Sequence, residues 1–221
     1  MVVETSPPSV AYRETITAKS SAEGRYKKQS GGHGQFGIAS IRIEPLPAGS
    51  GLEFVDEVRG GVIPRQYIPA VEAGIRDAMD HGCGSGYSVV DIRATVFDGR
   101  HHSVDSSEMS FKMAGRLAFQ EAFAKGSPVV LEPVIAVEVT VPAECLGDVM
   151  GDLSSRRATV QGSILGDWGE QVVSATVPES EMLRYAIDLR SITGGRGRFS
   201  AIHDHYSRVP PGVKVPEPPE R

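Results

Sequence analysis

Cysteine is nearly absent: Cys83 and Cys145 are the only two in 221 residues, they stand far apart, and no Cys-x-x-Cys pair exists. That count argues against a disulfide framework and against a cysteine-built zinc site, and it fits a reducing compartment. Cys145 reads as a small buried hydrophobe on a helix, and Cys83, inside Gly82–Gly86, as a loop residue. Long apolar runs are missing as well, since the longest span only a few residues where a membrane helix needs about 20. Met1–Ser9 has neither a basic start nor an apolar stretch, so no signal-peptide pattern is present. Excess positive charge is the third absence. With 23 Lys+Arg against 28 Asp+Glu the formal charge is −5, which argues against coating nucleic acid through bulk charge but leaves room for a local basic patch.

What is there suffices for a real core. The chain is 40% hydrophobic, and its length suits one large domain or two small ones. Gly126-Ser127-Pro128 follows a helical stretch and precedes a β-rich one, which places a domain boundary there. Residues 10–127 and 128–207 are then the two domains. Charge splits as 14 basic and 15 acidic before the boundary and 9 basic and 13 acidic after it, so neither half is a basic module. The ends, 1–9 and the proline-rich 208–221, are expected to be loosely ordered.

The first half begins β-like, with strands expected over Val10–Lys19, Ile38–Pro45 and Leu52–Val58. Ile68, Val71, Ile75 and Met79 recur at helical spacing, so Pro64–His81 is an amphipathic helix ended by Gly82. A strand over Ser88–Phe97 follows. Asp105-Ser106-Ser107-Glu108 reads as an acidic variant of the capping box, with Asp105 as the cap of a helix over Ser107–Lys125. That helix is apolar on most sides and is expected to pack between layers. The second half alternates as strand Glu132–Val141, a helix opened by Pro142, strands Arg157–Leu165 and Gln171–Val177, helix Glu179–Ser191 and strand Arg196–Tyr206. This β-α-β-β-α-β order is the split-βαβ, ferredoxin-like motif.

Three stretches carry chemistry-bearing residues. Ser30–Gly37 is glycine-rich but lacks the Gly-Lys-Ser/Thr ending of a phosphate-binding loop, so it is a hairpin tip or an adaptable loop in which His33 and Gln35 meet a partner. Lys27, Lys28, Tyr26 and Phe36 beside it suit nucleic acid. His101–Ser107 crowds Ser, His and Asp together, yet nucleophilic triads are set in space and usually draw on distant segments. A metal site from His101, His102, His203 and His205 has no further ligand marked by spacing. Thr193–Arg198 puts two arginines on a glycine turn, suited to phosphates or guanine edges, and Arg156-Arg157 either extends that patch or complements a helix dipole.

Together SGGHGQFG (30–37), GGVIPRQYIP (60–69), HSVDSSEM (102–109), LEP (131–133), GDVMGDLSSRR (147–157) and LRSITGGRG (189–197) resemble the C-terminal part of bacterial elongation factor G, in order and over nearly the whole chain. The resemblance implies an α+β architecture: a ribosomal-protein-type βαβ domain with a left-handed crossover, like domain IV, followed by a ferredoxin-like domain V. It implies no catalytic site and no metal here, because GTP and Mg are bound in an N-terminal domain that this sequence lacks; the chain reads as a piece of a longer cytoplasmic factor. The implied partners are the small-subunit decoding region, the tRNA–mRNA, large-subunit rRNA and the factor's own N-terminal domains, with no membrane. His102 aligns with the family's tip histidine, and His101, Ser103, His33, Gly34 and Gln35 are its implied companions at the decoding site. Arg196, Arg198 and Gly195 are the implied rRNA contacts of domain V.

The sequence also departs from the family pattern. His101 replaces the usual tyrosine, Ser103 an aspartate, His33 an arginine, and Leu183-Arg184 a Phe-Gly pair. These changes keep open a specialised paralogue in recycling or stress rather than the translocase. A freestanding RNA-binding module and a small hydrolase using His102 and Asp105 are the readings from other classes.

Overall fold

A computed structural model describes residues 10–29 and 34–218. The chain divides into two compact units, one of Tyr12–Leu131 with Val209–Arg221, the other of Met1–Ala11 with Glu132–Arg208. Among the described residues no helix is long and apolar enough to cross a membrane.

The first unit contains β1 (Arg13–Ile16), β2 (Ser20–Lys28), β3 (Gln35–Pro45), β4 (Leu52–Asp56), α1 (Ile68–His81), β5 (Ile92–Arg100) and α2 (Glu108–Lys125). Its sheet runs β2-β3-β5-β4, antiparallel except for the parallel pair β4/β5. Parallel neighbours cannot be joined by a tight turn, and α1 supplies the crossover. The single strand expected over Val10–Lys19 is broken: Thr17 and Ala18 turn to donate their amides to the Gly126 carbonyl, at 3.1 and 3.0 Å. β1 then pairs with Pro128–Leu131 instead of joining the sheet. It is anchored by Glu14, 1% exposed, whose carboxylate accepts the backbone amides of Gly84, Ser85 and Tyr87. Cys83, half-buried beside that carboxylate, has its thiol pushed up to about 12 by burial first and Glu14 second.

α1 buries Ile68, Val71, Ile75, Ala78 and Met79, the face its spacing predicts. A 3-10 turn at Arg65–Tyr67 stands where the first turn of that helix is expected. α2 is buried on several sides, with Phe111, Phe119 and Phe123 fully enclosed. Each such ring contributes roughly 1.5–3 kcal/mol of transfer free energy. Two glycines let neighbours approach closely, since a Cβ on Gly24 of β2 or on Gly74 of α1 would overlap α2 carbonyls, those of Ala114 and Lys112.

The cap of α2 differs from expectation. Ser107, not Asp105, is the N-cap: its hydroxyl accepts the Ser110 amide at 3.2 Å, while Ser110 Oγ accepts the Ser107 amide at 2.9 Å. The box is closed by serine rather than by Glu108, because the helix begins two residues later than an Asp105 cap requires.

The second unit holds most of β6 (Pro128–Pro142), then α3 (Leu146–Ser155), β7 (Thr159–Leu165), β8 (Glu170–Pro178), α4 (Tyr185–Thr193) and β9 (Arg198–Arg208). β6 lies between β8 and β9, with β7 outside β8, the order of the split-βαβ motif. Val137, Val139 and Val141 alternate inward on β6 and meet Val173, Ala175 and Val177 of β8. Val149, Leu153, Tyr185 and Leu189 cover them from the two helices. Two helix starts shift: Pro142 ends β6 and precedes a 3-10 turn, and Glu179–Met182 is a 3-10 turn separate from α4. Leu183-Arg184, which stand where the resembled family has Phe-Gly, form that break.

The proline-rich segment, expected to be loose, is described as far as Pro218 and belongs with the first unit. The Val209 amide donates to the Val130 carbonyl at 3.1 Å, and the Tyr87 hydroxyl donates to the Pro216 carbonyl. Prolines lower the entropy lost on fixing such an extended segment.

Candidate nucleic-acid interface

Two connections of the first unit meet at one end of its sheet: the β2–β3 hairpin and the β5–α2 loop. The hairpin is in register up to Lys28 opposite Gln35. Its tip includes His33, which lies outside the described residues. Gly34 donates its amide to Asp105 Oδ1 at 3.0 Å, and the Phe36 amide donates to the Asp105 carbonyl at 2.8 Å. The Phe36 carbonyl in turn accepts the hydroxyls of Ser106 and Ser110, at 2.8 and 2.9 Å. Tyr67 closes the arrangement from the 3-10 turn, donating to the Ser106 carbonyl at 3.2 Å while stacking on Phe111.

The same turn orients the histidines. His102 Nδ1 faces the amides of Val104 and Asp105, each at 3.3 Å, and therefore accepts. In the neutral ring the proton then sits on Nε2. His101 is the converse: its Nδ1 lies 3.1 Å from the Val62 carbonyl, a contact that requires Nδ1 to donate and leaves Nε2 as acceptor. The adjacent rings thus offer one donor edge and one acceptor edge. Ser103, between His102 and Val104, is exposed. Lys27 sits over the Phe36 ring at 5.2 Å, and that ring is 6.1 Å from the His102 ring. Lys27, Lys28, Gln35, Phe36 and Asp105 line a cleft of about 260 Å³.

Chemistry of a hydrolytic kind finds no support in this geometry. The Ser106 hydroxyl is committed to the Phe36 carbonyl and accepts the His102 backbone amide at 2.9 Å, so the imidazole does not activate Ser106. Among the described residues no group of three or more His, Cys, Asp or Glu side chains converges as a metal site would. His203 and His205 stand exposed on β9, with His205 Nδ1 2.8 Å from Asp204.

The second unit carries the arginines that the sequence singles out. Gly194 caps α4 in the left-handed region at φ 58°, and Gly195 follows at φ 82°. Arg196 reaches Glu144 at 2.7 Å, and Arg198 binds Glu170 through two bonds of 3.0 and 2.8 Å. Glu144's carboxyl is held below the usual range by its own backbone amide first and by Arg196 second. Arg156 and Arg157 are likewise committed to carboxylates. Arg156 pairs with Asp152 and Asp188, and Arg157 binds Glu132 in a two-bond fork at 2.8 and 2.9 Å and Glu181 at 2.8 Å. Sequence reasoning passed over Trp168, the one tryptophan, which is 99% exposed at φ 60° on the β7–β8 hairpin tip beside Glu170. A glycine-flanked tryptophan in a four-residue turn was the available signal.

Residues 8–127 match the family model for elongation factor G, domain IV, and residues 129–215 match that for the elongation factor G C-terminus. The chain belongs to the elongation factor G family. A crystal structure of a protein from Thermus thermophilus is similar to it at 42% identity and a TM-score of 0.85, over 94% of this chain. The chain spans 31% of the length of that protein. Within the elongation factor G frame, the histidine tip falls in the domain IV match and the arginine turn in the C-terminal match.

Proposed function

We propose that this chain is the ribosome-contacting part of an elongation factor G-type translational GTPase, whose domain IV enters the small-subunit decoding site and promotes movement of tRNA and mRNA. The observation that carries this is the tip itself: within the domain IV match, two loops far apart in sequence are bonded together beside an exposed imidazole, His102. Such an arm acts by occupying space and by offering hydrogen-bonding groups to RNA, whose single-stranded and distorted regions are recognised by their exposed base edges. His102, with His101, Ser103, His33, Gly34 and Gln35, is the decoding-site contact set, and Gly195, Arg196 and Arg198 face large-subunit rRNA. A net acidic chain suits repeated, transient docking, because fewer phosphates are neutralised and affinity stays modest. GTP and Mg belong to the remaining length of the factor, which also supplies hydrolysis.

The test uses the full-length factor. His102→Ala slows single-round translocation while ribosome-stimulated GTP hydrolysis is retained, and normal translocation in that variant overturns the reading. The His101 acceptor edge, in place of the family's usual tyrosine, favours a second reading as a specialised paralogue. Ribosome recycling measured beside translocation separates the two.

A further inference from the structure

Asp105 has no role in capping α2, because Ser107 and Ser110 fill both halves of that box. Its polar atoms are spent across the tip instead. One carboxylate oxygen takes the Gly34 amide from 71 residues away, the other lies 3.3 Å from His102 Nδ1, and the main-chain carbonyl takes the Phe36 amide. A Cβ at Gly34 would sit 3.0 Å from the Asp105 carboxyl carbon, so the loop approaches the carboxylate as closely as a glycine allows. We propose that Asp105 is a positioning residue that clamps Gly34 and Phe36 of the hairpin onto the histidine turn, whose own Val104 and Asp105 amides face His102 Nδ1.

The inference rests on the decoding-site reading only for its functional consequence; the clamp itself is a property of this chain. The chemistry is economical. A carboxylate bonded to a backbone amide is a charge-assisted contact, stronger than a neutral one. The turn that carries the carboxylate also aims its own amide, and that of Val104, at Nδ1. Losing the clamp frees Gly34 and Phe36 from the histidine turn, and an acceptor restored at position 105 brings Gly34 back, which a merely space-filling role for Asp105 would not do.

The experiment compares Asp105→Ala and Asp105→Asn with the unaltered chain, using amide exchange at Gly34 and Phe36. Asp105→Ala is expected to speed Gly34 exchange about tenfold or more, the loss of one charge-assisted bond. Asp105→Asn keeps an acceptor for Gly34 and restores most of the protection, and it serves as the folded comparison if the alanine variant is unstable. Unchanged Gly34 exchange in Asp105→Ala overturns the clamp. In the full-length factor Asp105→Ala should slow translocation alongside His102→Ala. If His102→Ala slows it and Asp105→Ala does not, the positioning role is wrong. If the chain shows the clamp but neither variant slows translocation, the decoding-site reading fails and the clamp stands.

Discussion

At the tip of the first unit the polar side chains bind backbone, while in the second unit four arginines bind carboxylates. Asp105, Ser106 and Ser110 hold the amides and carbonyl of Gly34 and Phe36, and His101 and His102 stand exposed beside them. Arg156, Arg157, Arg196 and Arg198 each already grip at least one acidic partner. The difference teaches that a cluster of cations in sequence is not yet a binding surface. What counts is whether the folded chain has left a donor uncommitted. Pairs of this kind also differ among themselves, from Arg157–Glu132, whose carboxylate is 3% exposed, to Arg196–Glu144, both more than half exposed.

The most damaging way to break the comparison is Arg157→Ala. It strands the Glu132 carboxylate, buried and deprived of its two-bond partner, and such a loss costs about 3 kcal/mol. Urea denaturation of the second unit's signals measures it. Replacing both residues, with Arg157→Met and Glu132→Leu, should recover most of that loss, since an apolar pair no longer needs desolvated charges to meet. If the single variant is neutral, Arg157 is not committed to structure and returns as a candidate for RNA.

A smaller effect is expected at the tip from Ser110→Ala. The hydroxyl is fully buried and serves the Ser107 amide and the Phe36 carbonyl, so its removal undoes half of the α2 cap and one strut of the hairpin. About 1 kcal/mol of stability is the expected loss, together with faster amide exchange at Phe36. Loss of stability without faster exchange would mean that the cap, not the hairpin, depends on Ser110.

These residues also mark how far the sequence could be read. The 3- and 4-residue spacing of Ile68, Val71, Ile75 and Met79 reports α1 because burial of one face follows directly from helical geometry. The β-α-β-β-α-β order was legible for the same reason in the second unit, where inward valines alternate. Capping was misread, because Asp105 and Ser107 are both good cap residues and only the helix's true first turn decides between them. The arginine pairs were invisible: Arg157 and Glu132 are 25 residues apart, and nothing local in either segment announces the other. The tip was legible as a set of motifs, but its wiring depends on contacts such as Gly34 to Asp105 that only the folded chain brings together.

The smallest effect sharpens the comparison most, because it concerns the arginine turn that the family match makes a candidate for rRNA. Arg196 and Glu144 form an exposed pair, and exposed pairs contribute little to stability. Arg196→Ala should therefore leave the melting temperature unchanged within error. Glu144→Gln should matter only through pH. The folded-state pKa of Glu144 is depressed, so its contribution is present above the unfolded carboxyl value, about 4.3, and is lost as pH falls through the folded value. The wild-type chain and Glu144→Gln should thus differ slightly near neutrality and converge in acid. A marked loss of stability in Arg196→Ala would place this arginine with Arg157, committed to the fold. An unchanged melt leaves its guanidinium exchangeable between Glu144 and a phosphate, as a contact residue requires, since little is lost in the fold when the partner changes.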